Sequence, residues 1–319
     1  HLSHLEREEI AILKAEGRSM REIAKGLGRD PGTISRELNR NTPPLRMRYS
    51  AFKAQLRADE RLCKSRMIPR LKSDALRRYV KRKIKDGWSP EQISGRLKQQ
   101  HASIQVSHEA IYQWIYEDAT YLIQHLIRAY KRRLRRGYSR RHFKTHIPQR
   151  VPIAERPKEV ECRAEPGHWE ADTIVHRQGK TAIQAAVERV TRFTKLSKLP
   201  KKNAREMRVS LNRRLSHFPQ SLLRSITYDN GSENTDHMRV NEVLGTKSYF
   251  TTPYHSWEKG TVENTIGVVR RFLPKKTNFA YVSEEKIQYI EKWLNNRPMK
   301  CLKYRTPAEV MRESVALSG

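Results

Sequence analysis

The most constraining feature of the sequence is a strand–turn–helix pattern between residues 226 and 272. A run of β-forming residues ends at Asp229, directly before an Asn230-Gly231 pair that favours a turn. A second β-type run, residues 249–251, leads into a predicted helix that carries Glu263. The pattern therefore places two carboxylates close to the ends of regular elements.

A third carboxylate, Asp172, lies upstream in the run GHWEADTIV. Strand alternation puts Trp169 and Ala171 on one face of this run, and Asp172 and Ile174 on the other. Gathering three carboxylates costs free energy, because like charges repel and raise one another's pKa. No basic residue stands directly beside any of the three in the sequence, so the pattern indicates a site for divalent metal ions.

Glu263 is favoured over its acidic neighbours because Arg270 lies two helical turns further along nearly the same face. A cation at that position would hold a DNA phosphate beside the metal ions. Glu258 has Thr265 at the same spacing, and an acid at a helix start also simply complements the helix dipole. Glu170 shares a strand face with Asp172 and is expected to form a salt bridge or to support a metal ligand.

Two asparagines and a His-Trp pair are expected near these carboxylates. Asn230 and Asn264 directly follow two of the acids and are expected to orient them. In a metal site that cleaves a nucleic acid, His255 and Trp257 would contact the cleaved end, with a ring stacked on an unpaired base. The alternative for this pair is an ordinary packed position in the protein core.

The composition independently indicates a polyanionic partner. The 319 residues carry a formal net charge of +31 and a pI near 10.3, and such self-repulsion is unfavourable unless phosphates or counterions neutralise it. Cys63, Cys162 and Cys301 lie far apart without a C-x-x-C pair, so neither a zinc knuckle nor a disulfide framework is indicated. The sequence contains no run of 18 apolar residues and no secretory segment, so we expect a cytoplasmic protein.

Residues 1–40 are predicted to form three short helices. Asp30 caps the third helix and Pro31 opens it, while Ile34 and Leu38 point inward. The second helix is expected to bury Met20, Ile23, Ala24 and Leu27. This pattern is typical of a helix-turn-helix whose last helix enters the DNA major groove, and the alternative is a small bundle with a solvated charged face. The expected DNA contacts of the last helix are Thr33, Ser35, Arg36, Asn39 and Arg40.

Residues 73–118 repeat the three-helix pattern and predict a second helix-turn-helix, or alternatively a dimerisation bundle. Its expected DNA contacts are His108, Tyr112 and Gln113. One more helix is predicted over residues 119–130, followed by a basic run with too few apolar residues to fold alone. We interpret this run as an arm that grips the DNA backbone through Arg132, Arg133, Arg135, Arg136, Arg140 and Arg141.

Several longer motifs resemble the insertion-sequence-30 family of bacterial DDE transposases. They are GHWEADTI, TYDNG, PYHSWEKGTVENTIGVVRRFLPKKTNF and LNNRP, followed by Tyr304-Arg305-Thr306-Pro307. The resemblance implies a ribonuclease H-like catalytic domain in which Asp172, Asp229 and Glu263 are the catalytic residues and the metal ligands. It further implies two Mg²⁺ ions per site, with Mn²⁺ as a substitute, and inverted-repeat and target DNA as partners. A circular intermediate with abutted ends and a homodimer or larger synaptic assembly are also implied.

The sequence thus predicts a multidomain protein, with two all-α helix-turn-helix units before an α/β domain that contains a mixed five-stranded sheet. The predicted parts are a first helix-turn-helix (1–40), a linker and connecting helix (41–72), a second helix-turn-helix (73–118), a helix, basic arm and proline-rich extended linker (119–165), and the catalytic domain (166–319). Two rival functions stay open: a DNA-binding regulator with an inactive transposase fold, and a structural RNA-binding protein.

The first prediction concerns DNA reading by the third helix. Arg36→Ala should relax the sequence preference, with a loss of about 1–3 kcal/mol of discrimination between the preferred and altered sites. Binding to a panel of duplexes, measured at several salt concentrations, checks this expectation. Weakening that is equal on all duplexes, with specificity intact, would show that Arg36 contacts only the backbone.

Overall fold

The computed structural model describes residues 2–42, 48–67, 71, 73–101, 104–126, 147–176, 180–253 and 255–317. The chain falls into two compact units, His1–Arg78 and Tyr79–Gly319. Within the described ranges, no helix is both long and apolar enough to cross a membrane.

The first unit is helical. Its helices are α1 (His4–Ala15), α2 (Met20–Gly26), α3 (Pro31–Asn41) and α4 (Ala51–Met67), and α5 (Asp74–Lys85) begins near its end. Ser3 and Ser19 form capping boxes at the starts of α1 and α2, and the Asp30 side chain caps α3. Ile34 and Leu38 are buried, as predicted for the inner face of α3.

The buried side of α2 is narrower than predicted. Met20 is 48% exposed, so its assignment to the inner face was wrong, whereas Ile23 and Ala24 are buried. Met20 is the first residue of α2, which is only seven residues long. Arg7 Nε donates to Glu37 Oε1 over 2.8 Å, and both side chains are buried.

A second three-helix group opens the second unit. It consists of α5, α6 (Pro90–Gln100) and α7 (His108–Glu117). Its buried apolar residues are Val80, Ile84, Ile93, Leu97, Ile111, Trp114 and Ile115. A 3₁₀ helix, Thr120–His125, follows where a longer helix over 119–130 was predicted. Residues 127–146 lie outside the described part of the chain.

Helix α6 is packed against a segment near the C-terminus. Gly95 lies directly under the Tyr304 ring, since a Cβ at this position would come within 2.3 Å of it. Gln92 Nε2 donates to the Pro298 carbonyl over 2.7 Å, and Arg96 Nη1 donates to Glu309 over 2.9 Å. One face of this predicted DNA-reading or dimerising unit is therefore used for packing within the chain.

The α/β part of the second unit contains a five-stranded sheet. The strands are β1 (His168–Val175), β2 (Ala182–Glu188), β3 (Thr194–Leu199), β4 (Ser225–Tyr228) and β5 (Lys247–Phe250), in the order β3-β2-β1-β4-β5. β1 pairs antiparallel with β2 and parallel with β4, so the sheet is mixed as predicted. Three consecutive antiparallel strands followed by two parallel additions form the expected ribonuclease H-like sheet.

Helices cover both faces of this sheet. A short helix, α8 (Glu159–Cys162), precedes β1, and the others are α9 (Ala204–Leu215), α10 (His237–Leu244), α11 (Gly260–Val269), α12 (Glu284–Asn295) and α13 (Pro307–Ala316). Trp169 and Ala171 belong to the core beneath α9 and α10, whereas Ile174 belongs to the core beneath α11 and α12. The strand alternation predicted for β1 is confirmed by this division.

The segment before β1 is not a free linker. The Phe250 amide donates to the Val151 carbonyl over 2.9 Å, Pro152 forms a bridge with Phe250, and Ile147 is part of the core. β5 is an edge strand whose outer hydrogen-bonding groups would otherwise be unpaired, and this segment pairs with them. An extended conformation was predicted here, but the attachment to the sheet was not.

The Arg96–Glu309 contact predicts an acid-dependent loss of stability. The pKa of Glu309 is lowered from 4.5 to about 2. The largest cause is the hydrogen bond from Arg96, and the backbone bond from Thr306 adds to the lowering, whereas burial opposes it. The carboxylate therefore stabilises the fold above its unfolded pKa, and this contribution is lost as the pH falls from about 4.5 towards 2.

Urea unfolding at about pH 5 and about pH 3 should show a smaller acid-induced loss of unfolding free energy in Glu309→Gln than in the wild type. Glutamine keeps the capping bond to Thr306 and removes only the charge. The matched control is Glu313→Gln. Glu313 lies on the same helix as Glu309 and forms an exposed ion pair with Arg305. Identical pH dependence in the two variants would contradict the expectation.

Candidate active site

Asp172 and Asp229 converge on one ammonium group. Asp172 lies within β1, and Asp229 directly follows the parallel neighbour β4. Lys259 Nζ lies 3.2 Å from Asp172 Oδ2 and 3.8 Å from Asp229 Oδ2. The Lys259 side chain is buried, and its ammonium also lies 3.4 Å from the Ala171 carbonyl. Two of the three predicted catalytic acids are therefore brought together, with a cation between them.

The second oxygen of each carboxylate is held by a local donor. Asp172 Oδ1 accepts from the Thr173 amide over 2.7 Å. Asp229 Oδ1 accepts from Asn234 Nδ2 over 2.7 Å and from the Gly231 amide over 3.3 Å. One oxygen of each acid is thus oriented by the fold, and the other faces the cation.

The charge state of Asp172 depends on its neighbours. Burial raises the pKa of Asp172, the Lys259 ammonium lowers it, and the charge of Asp229 raises it again. The Lys259 ammonium is therefore the neighbour that most favours the ionised form of Asp172.

Glu263 lies on α11, four residues after Lys259, and is exposed. That spacing is one helical turn, so the two side chains leave the helix on nearly the same side. Across the described part of the chain, no set of three or more His, Cys, Asp or Glu side chains is arranged as a metal site. The role of Glu263 as the third ligand stays a prediction.

The donor set nevertheless suits a divalent metal ion. Two carboxylate oxygens already point at a common positive charge, and hard cations such as Mg²⁺ prefer oxygen ligands. His168 is the first residue of β1, and its Nδ1 lies 2.8 Å from Ser225 Oγ. Burial, together with the charges of Arg224 and Arg189, lowers the pKa of His168 to about 4.

Glu170 fixes the start of α11, which directly follows Lys259 and carries Glu263. Its Oε2 accepts from the Val262 amide in the first turn of α11 over 2.9 Å, and its Oε1 lies 3.6 Å from Arg189 Nη1. The predicted salt bridge of Glu170 is present. A buried carboxylate at a helix N-terminus also complements the helix dipole, so Glu170 anchors α11 to β1.

The loop after β4 is held by two further polar side chains. Buried Glu233 accepts from Thr173 Oγ1 over 2.7 Å and pairs with Lys202 over 2.9 Å. Asn230 donates to the Thr251 carbonyl over 2.7 Å and accepts from Arg150. Asn230 thus joins the ends of β4 and β5, and the side chain that orients Asp229 is Asn234.

Glu258 has a local structural role. It lies in the 3₁₀ helix Ser256–Lys259, where its Oε2 accepts from the Thr252 amide over 2.7 Å. Its Oε1 lies 3.4 Å from His255 Nδ1. These contacts close the turn between β5 and α11.

His255 and Trp257 stack on each other, with ring centroids 4.3 Å apart and an interplanar angle of 25°. Trp257 is 70% exposed, so the alternative of a packed core pair is wrong. Arg270 Nη2 donates to the Val175 carbonyl at the end of β1 over 2.7 Å, and its guanidinium lies 5.7 Å from the centre of the Phe279 ring. This contact ties α11 to β1 from its other end.

The predicted contacts on the helical units differ in exposure. On α3, Arg36, Asn39 and Arg40 are exposed, while Thr33 and Ser35 are half-buried. On α7, His108 is exposed, while Tyr112 and Gln113 are half-buried. The predicted contacts of the basic arm, Arg132, Arg133, Arg135, Arg136, Arg140 and Arg141, lie outside the described residues.

Known proteins resemble this chain over its whole length. The helix-turn-helix domain family matches residues 1–41. The transposase for insertion sequence element IS1086 of Cupriavidus metallidurans is 38% identical over 98% of this chain and 94% of its own. Transposase InsI for insertion sequence element IS30A of Escherichia coli is 35% identical, over 100% of this chain and 85% of its own. The chain belongs to the IS30 family of transposases.

Two further known proteins are similar to this chain. The transposase for insertion sequence element IS4351 of Bacteroides fragilis is 36% identical, over 99% of this chain and 96% of its own. The catalytic core domain of BIV integrase matches 47% of this chain and 97% of its own, with 21% identity and a TM-score of 0.37. This IS30-family protein is a DNA transposase, an enzyme of the polynucleotidyl transferase type that binds DNA.

Sequence reasoning missed Lys259 and Asn234. Lys259 precedes Glu263 by four positions, so it is not a direct sequence neighbour of any of the three acids. That spacing on a helix was the available signal for a residue on the same side as Glu263. Asn234 follows Asp229 by five residues in an irregular turn, and no periodic pattern identifies such a contact.

The central position of Lys259 predicts a measurable loss when its charge is removed. Lys259→Met should destabilise the metal-free protein by about 2 kcal/mol, because two neighbouring carboxylates lose their shared cation. Mg²⁺ should then raise the melting temperature more in this variant than in the wild type, since no ammonium competes for the same oxygens.

Urea unfolding and thermal unfolding, each with Mg²⁺ and with EDTA, provide the measurement. Lys247→Met on β5 is the control. Lys247 is exposed, and its replacement removes the same charge as the replacement of Lys259. A Lys259 variant as stable as this control, with an unchanged response to Mg²⁺, would contradict the expectation.

Proposed function

We propose that this transposase cuts and joins DNA at the ends of its own element through a metal-dependent DDE site formed by Asp172, Asp229 and Glu263. The observation that carries the proposal is the convergence of Asp172 Oδ2 and Asp229 Oδ2 on one positive charge. Glu263 lies one turn beyond the lysine that supplies this charge. The relatives named as insertion-sequence transposases support the same chemistry.

Asp172, Asp229 and Glu263 are the residues that would hold the metal ions. Two bound Mg²⁺ ions, with Mn²⁺ as a substitute, would activate the attacking hydroxyl and stabilise the leaving oxygen. The protein contributes orientation: the Thr173 amide and Asn234 hold the outer oxygens of the two aspartates, and Glu170 holds the start of α11.

Lys259 has two roles in this proposal. In the metal-free protein its ammonium neutralises Asp172 and Asp229 and keeps them together. With metal ions held by the carboxylates, the same ammonium would lie close to the reacting phosphate, where a second positive charge would stabilise the negative transition state.

The reaction proposed is an in-line exchange of phosphodiester bonds. Water first attacks the phosphorus at the element end, which breaks the P–O bond to the 3′ oxygen and frees a 3′-hydroxyl. That hydroxyl then attacks a second phosphodiester, so one P–O bond forms as another breaks. No protein side chain becomes covalently attached, and no nucleophilic Ser or Tyr is required.

The helical units are proposed to select the DNA. Helix α3 of the helix-turn-helix would read the terminal inverted repeats through Arg36 and its neighbours, and α7 would add contacts through His108. Synapsis of two ends needs at least two bound copies, so we propose a homodimer or larger assembly. The substrates would be element ends, abutted or separate, and target DNA in the bacterial cytoplasm.

One rival function has a specific observation in its favour. A DNA-binding regulator with an inactive catalytic fold could retain Asp172 and Asp229 because Lys259 neutralises them without metal. The two functions differ in strand chemistry and not in DNA binding.

Strand transfer separates the two functions. A labelled duplex of the element's own end, incubated with wild-type protein and Mg²⁺, should be cleaved and joined, and EDTA should stop the reaction. Asp229→Asn should reduce the rate by about 10³-fold or more while DNA binding persists, since metal stabilisation of the transition state amounts to several kcal/mol. Tight binding without cleavage by the wild type in Mg²⁺ or Mn²⁺ would favour the regulator.

The third acid is tested with a matched pair on neighbouring turns. Glu263→Gln should lose strand transfer as Asp229→Asn does, whereas Glu258→Gln should retain most of it, because Glu258 serves the Thr252 amide and glutamine can accept the same bond. The reverse result would move the third ligand from Glu263 to Glu258.

A further inference from the structure

A polar cavity lies on the other side of α11 from Asp172 and Asp229. Its volume is about 350 Å³, and α11 contributes Gly260, Thr261, Asn264 and Thr265 to its wall. Thr261 lies about 160° around the helix from both Lys259 and Glu263, which leave the helix on the aspartate side. The helix therefore separates the cavity from the candidate active site.

Three arginines line this cavity and no carboxylate does. They are Arg163, Arg192 and Arg297, and the remaining wall is formed by hydroxyl, amide and apolar side chains. Like charges held together in a partly buried space are costly unless an anion compensates them. The composition of the wall therefore points to an anionic ligand.

Arg297 is the buried member of this group. It is 7% exposed, and its Nε donates to no acceptor among the described residues although the atom is fully buried. Burial lowers the pKa of Arg297 to about 10, and the charge of Arg271 contributes to the lowering. The guanidinium is therefore still protonated at neutral pH, and it belongs to a residue of the cavity wall.

The fold keeps Arg297 in place through the preceding turn. Asn295 accepts from the Thr194 amide and donates to the Thr194 carbonyl, both over 2.8 Å, and the Asn295 side chain is buried. Asn295 and Arg297 both belong to the LNNRP motif, to which the proposed strand chemistry assigns no role. The motif thus has a definite structural product, which is a guanidinium fixed at the cavity.

Arg192 and Arg163 approach the cavity from the other side. Arg192 Nη1 donates to Thr261 Oγ1 over 2.9 Å, and Arg163 Nη2 donates to the same oxygen over 3.4 Å. Arg192 Nε is buried and has no acceptor among the described residues. Burial lowers the pKa of Arg192, and the nearby charge of Arg163 lowers it further.

We propose that this cavity binds a phosphodiester group of DNA other than the one that reacts. Planar guanidinium groups match the oxygen geometry of phosphate and can donate two bonds in parallel. Because α11 lies between the cavity and the aspartates, the bound phosphate would lie on the order of 10 Å, about one helix diameter, from the reacting one. This inference rests on the proposed strand chemistry and assigns it a separate backbone grip.

Binding in EDTA tests the grip without any catalysis. The probe is a fluorescein-labelled duplex of arbitrary sequence, titrated with full-length protein carrying Asp229→Asn at several salt concentrations. Adding Arg163→Gln or Arg192→Gln should weaken binding about tenfold and reduce the slope of log affinity against log salt by about 0.9 for one lost phosphate. Arg163 is exposed, so its replacement leaves the interior unchanged.

Arg213→Gln is the matched control, because it removes the same charge from an exposed position on α9 outside the cavity. A second probe series replaces single phosphates of the duplex by neutral methylphosphonates. At one position the loss of affinity should be large for the parent protein and absent for Arg163→Gln, which identifies the bound phosphate. Melting temperatures confirm that each variant is folded.

Two outcomes would overturn the proposal. The first is an affinity and salt slope in the cavity variants equal to those of the Arg213 control. The second is stabilisation by inorganic phosphate that the cavity variants abolish, with DNA binding unchanged, which would make the cavity a site for free phosphate. Since no cleavage is measured, either outcome leaves the proposed strand chemistry untouched.

Discussion

The candidate site depends on one interaction, the ammonium of Lys259 between the carboxylates of Asp172 and Asp229. The two acids come from adjacent parallel strands, and the lysine comes from the start of a helix that packs across the sheet. Without the positive charge, repulsion and burial would both favour protonation of Asp172. A single cation therefore joins two strands and a helix at the place where the chemistry is proposed.

Buried polar contacts hold the surroundings of this interaction in register. Glu170 ties the first turn of α11 to β1, and Glu233 ties the loop after β4 to Thr173. In a low-dielectric interior such bonds are strong when satisfied and costly when broken. Each of these acids thus contributes position to the site, and the carboxylates of Asp172 and Asp229 are the ones that face Lys259.

Helix α11 separates two regions of the second unit that differ in charge and in chemistry. On one side a lysine neutralises two acids, and on the other three arginines surround a cavity without acids. A nucleic acid strand that follows this helix would meet a reacting position and a holding position in succession. The docking of α6 against residues 298–309 adds rigidity near the same segment, because Gly95 permits the Tyr304 ring to pack directly on the helix.

Much of the fold was predictable because its signals are local. Alternation in β1, the cap at Asp30 and the long family motifs depend on neighbouring residues, and the structure agrees with the first two. α13 was missed although Thr306-Pro307 and Glu309 form a capping box with a first-turn proline. Met20 was misplaced because periodicity alone does not show where the apolar face of a short helix ends.

The sequence by itself determined the family, the mixed sheet with its flanking helices, and the identity of the acidic candidates. Only the tertiary structure decided that Lys259 lies between Asp172 and Asp229, that Glu170 caps α11, and that Arg297 closes a cavity with Arg163 and Arg192. These contacts join residues tens of positions apart, and they follow from strand pairing and helix packing. Charge partners separated in this way leave no periodic trace in a single sequence.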